Sequence, residues 1–188
     1  MICCMKKMVA FIGSPRKEGN TSTIVREISR GAKEAGAEVK IYNLNEMTLK
    51  PCQSCFYCRQ AENCATKDDM QSVYADIKNA DAIVIGSPIY MSQVTAQTKL
   101  LIDRLFPLID ANFKPRFGVK KTVVVYSQGQ DEAGAFQRYF EYNANVLKML
   151  GLDIVDTIIC SGANDPQTAV KNESLMAKAF KTGRELVE

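Results

Sequence analysis

Short apolar runs alternate along the chain with longer segments that carry one apolar and one charged face. Lys7 to Gly13 (Lys-Met-Val-Ala-Phe-Ile-Gly) is continuous enough to predict a buried strand. Thr21 to Ala35 follows with Ile24, Val25, Ile28 and Ala32 at helical spacing, and Gly36 stands where a helix stops. Glu38 to Leu44 alternates, which predicts an exposed strand with Val39, Ile41 and Asn43 pointing one way. An irregular stretch runs from Asn45 to about Lys67, after which Asp68 and Asp69 predict a helix start, since carboxylates favour that end of the helix dipole. Ala82 to Gly86 predicts a third strand, Ala96 to Phe106 a helix ended by Pro107, and Lys121 to Ser127 a fourth strand. Phe136, Phe140, Ala144, Leu147 and Leu150 share one face of a predicted helix from Ala133 to Leu150. Ile154 to Cys160 predicts the fifth strand, and Asp165-Pro166 the start of a last helix, with a cap and a proline in its first turn.

Five strands alternating with five helices predict an α/β fold around a parallel sheet. The two most apolar strands, at Ala82 and Lys121, belong at its centre, because parallel strands covered on both faces lose their alternation. The alternating Glu38 strand belongs at an edge. Right-handed crossovers then favour the order 2-1-3-4-5. No linker, repeat or low-complexity tract divides residues 1–188, so one domain is expected.

Composition narrows the chemistry. A net charge of +3, scattered through the helices, gives no electrostatic case for nucleic acid. No stretch approaches the roughly 18 consecutive apolar residues of a membrane span, and no cleavage site follows the apolar N-terminal run. Seven cysteines cannot all be paired, which argues for reduced thiols and a cytoplasmic location. Cys160 ends an apolar run and reads as a small buried hydrophobe, while Cys3 and Cys4 receive no role. With no histidine, Ser-His and Cys-His nucleophile pairs are excluded.

Four of the cysteines, Cys52, Cys55, Cys58 and Cys64, lie within 13 residues in the pattern C-x2-C-x2-C-x5-C. Such crowding points to a soft metal centre held by sulfur. Structural zinc usually takes two knuckles a dozen or more residues apart, whereas intervals of three resemble ferredoxin-type cluster runs. The wider last gap leaves slack for Cys64 to fold back onto the same cluster. Zinc and free or redox-active thiols remain open on the spacing alone.

In an open parallel sheet, ligands sit beyond the carboxyl ends of the strands, where the strand order switches. There the turn Gly13 to Ser22 offers Ser14, Thr21 and Ser22 hydroxyls, the Asn20 amide, the Arg16 guanidinium and the N–H groups of a helix start. These suit a terminal phosphate dianion. The turn lacks G-x-x-x-x-G-K-[ST] and G-x-G-x-x-G, so the phosphate monoester of FMN matches better than a nucleoside triphosphate or a dinucleotide. An ordinary solvated, capped turn is the plain alternative. Pro88, Tyr90 and Met91 offer an apolar slot for a flavin ring at a second turn, and Ser127 to Gln130 a third approach by backbone.

Gly13-Ser14-Pro15-Arg16, Gly19-Asn20-Thr21-Ser22, the cysteine segment ending in Lys67-Asp68-Asp69-Met70, and Gly86-Ser87-Pro88-Ile89-Tyr90 together resemble the iron–sulfur flavoproteins of the NAD(P)H-dependent FMN reductase superfamily. The resemblance spans nearly the whole chain. It implies a flavodoxin-like three-layer sandwich, FMN as cofactor, and a [4Fe–4S] cluster on Cys52, Cys55, Cys58 and Cys64. It further implies Ser14, Arg16, Asn20, Thr21 and Ser22 around the FMN phosphate. Pro88, Ile89, Tyr90 and Met91 would line the ring, with Ser127 and Gly129 at the fourth turn. Homodimers or homotetramers, an electron donor such as ferredoxin or NAD(P)H, and a small-molecule oxidant are expected with it.

Three other functions compete. A cluster-free NAD(P)H-dependent FMN or quinone reductase needs the flavin turns alone. A zinc-knuckle binding module needs the cysteines alone. A low-molecular-weight phosphatase needs C-x5-R, which none of the seven cysteines supplies. Because strand two leads into the cysteine segment, cluster and flavin are expected on the same edge of the sheet.

Overall fold

A computed structural model describes residues 5–188, so Cys3 and Cys4 lie outside the described residues. Five parallel strands form the sheet: β1 (Lys7–Ile12), β2 (Glu38–Asn43), β3 (Ala82–Tyr90), β5 (Lys120–Ser127) and β6 (Leu152–Cys160). They lie in the order β2-β1-β3-β5-β6. This is the expected arrangement of the five predicted strands. A two-residue strand, β4 (Gln93–Val94), adds to it by pairing antiparallel with the end of β3.

The alternation of β1 explains the layers. Met8, Ala10 and Ile12 face α1 (Asn20–Glu34) and α6 (Glu173–Val187), with Ile24, Ile28, Ala179 and Leu186 in the same core. Val9 and Phe11 face the opposite core with Val73, Leu101 and Leu147. Those three come from α2 (Met70–Asn79), α3 (Ala96–Asp103) and α4 (Gln137–Met149). Helices therefore cover both faces, as a parallel sheet requires. The helix pair α1–α6 packs backbone to backbone: a Cβ on Gly183 would overlap the Ile28 carbonyl, and one on Gly31 the Phe180 carbonyl. Among the described residues, no helix is long and apolar enough to cross a membrane.

Strand β2 alternates, with Val39 against the α1–α6 core, Ile41 exposed, and Tyr42 on the other face, stacked on Phe11 at 5.6 Å between ring centroids. Three local expectations are corrected. Strand β3 does not end at Gly86 but runs to Tyr90, because Ser87 and Pro88 keep pairing with Tyr126 and Ser127. A 3-10 turn over Ala133–Phe136 precedes α4, which begins only at Gln137. The last helix does not open at Asp165-Pro166. Asp165 Oδ1 accepts from Gln167 N–H and shapes a turn, α5 (Thr168–Lys171) is a single turn of helix, and α6 begins after Asn172, whose side chain accepts from Leu175 N–H.

Candidate functional site

Just past the carboxyl end of β1, Gly13 N–H donates to Gly86 C=O at 2.8 Å and ties that end to the middle of β3. Ser14 Oγ accepts from Arg16 N–H at 3.1 Å, and Ser22 Oγ donates to Arg16 C=O at 2.8 Å. The Arg16 backbone is thus fixed while its side chain stays exposed, with no ion pair among the described residues. Helix α1 begins after Gly19 without a side-chain cap and with no acidic residue in its first turn. Its leading N–H groups have no intrahelical partner, and the dipole of a 15-residue helix favours an anion there. A Cβ on Gly19 would lie 3.1 Å from Arg16 Cβ and 3.6 Å from Ser14 Oγ, filling the hollow of the turn. Free N–H groups, a free guanidinium and a hollow kept open by glycine fit a phosphate monoester.

The other expected phosphate residues are arranged differently. The buried Asn20 Nδ2 donates to Ala163 C=O at 3.3 Å and Asp165 C=O at 2.8 Å, and its Oδ1 accepts from Ala169 N–H at 2.8 Å. Its side chain latches the loop between β6 and α5 onto α1, leaving its backbone N–H for a ligand. Thr21 Oγ1 and Ser127 Oγ share a buried hydrogen bond of 2.7 Å, which joins the first and fourth turns.

Thr95 sits at the centre of this edge. It caps α3 by accepting from Thr98 N–H, its hydroxyl donates to Gly13 C=O at 2.7 Å, and its N–H donates to Ser87 Oγ at 3.0 Å. Sequence reading missed both Ser87 and Thr95. The signal available was a threonine directly before an apolar helical segment. Pro88 is buried, Ile89 half-buried, and Tyr90 and Met91 are exposed, Met91 at 96%. They stand on the β3–β4 hairpin, whose central residues Met91 and Ser92 both have positive φ (48° and 65°), the primed-turn geometry of two-residue hairpins. Val94 N–H donates to Tyr139 Oη at 2.9 Å and anchors the hairpin to α4. Gly129 is exposed, and its carbonyl accepts from Asn164 Nδ2 at 3.1 Å.

The cysteine segment does not lie at this edge. Arg116 donates to Ile109 C=O and, at 3.2 Å, to the carbonyls of Cys58 and Arg59. Arg59 stacks over Phe113 at 4.2 Å, and Glu62 pairs with Lys78 at 2.7 Å. Arg116 leads into β5 and Lys78 ends α2 just before β3, so the loop is fastened at the amino ends of the strands. The segment starts at the flavin edge, where Glu46 pairs with Lys17, but these long-range contacts carry its cysteine-bearing part across the α2–α3 face, which corrects the expectation of one shared edge for the cysteines.

A single buried ion pair closes the neck of that loop. Arg104 NH1 and NH2 meet Asp68 Oδ2 and Oδ1 at 2.7 and 3.0 Å, with both side chains out of solvent. Arg104 also donates to Lys50 C=O at 2.6 Å and Thr66 C=O at 3.4 Å. Asp68 accepts from Lys50 N–H and Met70 N–H, and Asp69 from Thr48 N–H. Burial alone would raise the Asp68 carboxyl; Arg104 and the two N–H donors outweigh it and hold the group below its ordinary range.

Cys52 and Cys55 are exposed, Cys58 is half-buried and Cys64 buried, and all four are free thiols. Ser54 and Phe56, on either side of Cys55, adopt left-handed backbone conformations. Among the described residues, no three or more His, Cys, Asp or Glu side chains converge closely enough to hold a metal ion, so the expected four-cysteine ligand set is not assembled. Crowded thiolates repel, and only a bridging cationic centre makes their convergence favourable. The donor chemistry nevertheless fits an iron–sulfur cluster: four sulfurs on one short loop, with no histidine in the chain. Burial, then the neighbouring Cys64, and less strongly Cys52 and Cys55, push the Cys58 thiol up. For Cys64, burial is outweighed by Thr66 N–H and hydroxyl and by Arg104, and its thiol is lowered. Beside the loop opens an apolar cavity of about 620 Å³, lined by Cys52, Cys55, Phe56, Phe106, Phe113 and Met149 among others.

A parallel sheet in this strand order, with an uncapped helix start and two further turns converging at the switch point, defines a flavodoxin-like domain. The sequence profile of the NADPH-dependent FMN reductases matches residues 6–153. An iron–sulfur flavoprotein of Methanocaldococcus jannaschii is 34% identical over 160 residues, covering 85% of this chain and 78% of that one. The chain belongs to the iron–sulfur flavoprotein family within the NADPH-dependent FMN reductases and is a flavin-dependent oxidoreductase. Two solved structures share its fold. An NAD(P)H:quinone oxidoreductase from Methanothermobacter marburgensis has a TM-score of 0.75 at 19% identity, covering 97% of this chain and 98% of that one. An FMN-dependent NADH-azoreductase from Bacillus anthracis has a TM-score of 0.68 at 14% identity, covering 98% and 100%.

Proposed function

We propose that this chain is an electron-transfer flavoprotein that holds FMN at the carboxyl edge of its sheet and a [4Fe–4S] cluster on Cys52, Cys55, Cys58 and Cys64. The observation that carries the reading is the all-sulfur loop, closed at its neck by Arg104 and Asp68, on a chain whose first helix start is left open to an anion. When bound, FMN supplies two-electron and the cluster one-electron chemistry. The chain's own residues bind and orient. The N–H groups at the start of α1 and the Arg16 guanidinium hold the phosphate, with the Ser14 and Ser22 hydroxyls fixing the Arg16 backbone beside it. Asn20 and Thr21 brace that turn from behind, against the loop after β6 and against Ser127. Pro88, Ile89, Tyr90 and Met91 flank the ring, and the turn carrying Ser127 and Gly129 approaches it by backbone.

NAD(P)H or a ferredoxin is the proposed donor, and a quinone, oxygen species or other small oxidant the acceptor. Cysteines and flavin turns lie at opposite ends of the sheet, and α3 alone separates its two ends by about 12 Å. A homodimer or homotetramer that brings the loop of one copy to the flavin of another is therefore the proposed assembly. Crowded thiols call for a reducing compartment, and the cytoplasm is the proposed one.

The test is protein purified under argon, assayed for FMN, iron and acid-labile sulfide per chain, with absorption spectra before and after dithionite. FMN together with iron and sulfide, and both chromophores bleaching on reduction, is the expected result. FMN without sulfide, with steady NAD(P)H oxidation, would establish the cluster-free reductase in its place. Colourless protein with one zinc would refute both.

A further inference from the structure

We infer that Arg104, paired with Asp68, is the positioning residue of the cysteine loop: it fixes the neck of the loop so that the four thiols can close on a cluster. The inference deepens the proposed function and rests on it. Lys50 stands two residues before Cys52, and both of its backbone groups are taken by the pair, its C=O by Arg104 and its N–H by Asp68. Thr66 stands two residues after Cys64, and its C=O accepts from Arg104. One guanidinium therefore grips both ends of the segment that holds the cysteines. From the other side, Gln71 Nε2 donates to Cys64 C=O at 3.0 Å and Thr66 C=O at 2.7 Å.

Arg104 is itself enclosed. It is 1% exposed, and Tyr74 Oη donates to its carbonyl at 2.8 Å. Stability does not account for the pair, because a buried ion pair is often matched or bettered by apolar residues of similar volume. Geometry accounts for it: a planar fork with donors left over for two carbonyls fixes distance and orientation together, which an apolar contact cannot. The cysteine spacing gives no hint of Arg104, which lies 40 residues beyond Cys64 in sequence. Groups that orient metal ligands from outside the ligand shell typically change metal affinity about 10–100-fold when removed.

The test compares wild type with Arg104→Lys and with the double variant Arg104→Met/Asp68→Leu, which leaves no unpaired buried charge. Iron, sulfide and FMN per chain are measured anaerobically, and amide hydrogen exchange of residues 50–66 is followed in cluster-free protein. The double variant is expected to keep full FMN and unchanged exchange in β1, β3 and β5, to lose iron to a chelator about tenfold faster, and to exchange the loop amides faster. Arg104→Lys, which keeps charge but not the fork, falls between. It carries the test if the double variant does not fold. Loop exchange equal to wild type in the folded variants overturns the inference, as does iron retention equal to an iron-loaded wild type. A wild type without iron and sulfide refutes the proposed function instead, and loop exchange alone then decides whether the pair is a clamp.

Discussion

Replacing Thr95 with valine keeps the side-chain shape and removes one hydroxyl from the centre of the flavin edge. Two losses follow from the structure. Thr98 N–H loses the cap of α3, a change that costs about 1 kcal/mol. Gly13 C=O loses its donor at 2.7 Å in a buried setting, which costs about 1–3 kcal/mol. The expected destabilisation is therefore about 2–4 kcal/mol. Thr95→Ser keeps the hydroxyl and should recover most of it. Equilibrium urea unfolding of FMN-free protein measures this as a lower midpoint at unchanged slope. Because Gly13 opens the proposed phosphate turn, FMN affinity in Thr95→Val should fall below that of a variant equally destabilised elsewhere. A Thr95→Val midpoint equivalent to wild type within about 0.5 kcal/mol would refute the reasoning, since that is the range of inert surface changes.

Gly183→Ala supplies the control far from the flavin edge. Helix propensity favours alanine by about 1 kcal/mol, but its Cβ overlaps the Ile28 carbonyl, and overpacking costs about 1–3 kcal/mol. A net fall in melting temperature of a few degrees is expected by circular dichroism, with FMN affinity unchanged; a rise would show that α1 and α6 separate freely. Asp68→Asn leaves Arg104 buried without its partner, and about 3–5 kcal/mol should be lost at neutral pH. The folded Asp68 carboxyl lies below its ordinary value, so its contribution is complete above about pH 4 and disappears as pH falls through the depressed folded value. Urea midpoints of wild type and Asp68→Asn should converge as pH is lowered below about 4, and a gap constant down to pH 2 would contradict the assignment.

The sheet order was legible because Ala82 to Gly86 and Lys121 to Ser127 are apolar without alternation and the Glu38 strand is not. Strand β4 was not, since its hairpin turns on Met91 and Ser92 and carries no glycine or asparagine signal. Asn20 donates two hydrogen bonds to the loop carbonyls of Ala163 and Asp165 and accepts one from Ala169 in α5, and only the folded chain brings α1 to that segment, so a helix start at Asp165 was the natural reading. The inward turn of Tyr42 depends on Phe11, across the sheet rather than along the strand. The same holds for the cysteine segment. Its residues announce their chemistry, but its destination is set by Arg104 and Arg116, cations far along the chain that bind carbonyls, and carbonyls leave no mark in a sequence.

Past Glu46, which pairs with Lys17 of the phosphate turn, the cysteine-bearing part of the stretch between β2 and α2 is fastened away from the flavin turns and behaves as an interchangeable cassette. Lengthening or shortening it has a small entropic consequence, about 0.6 kcal/mol per doubling, and touches neither the bond of Thr95 to Gly13 nor that of Thr21 to Ser127. Mutational drift can therefore rework the sulfur-bearing insert while nucleotide recognition at the other pole stays intact.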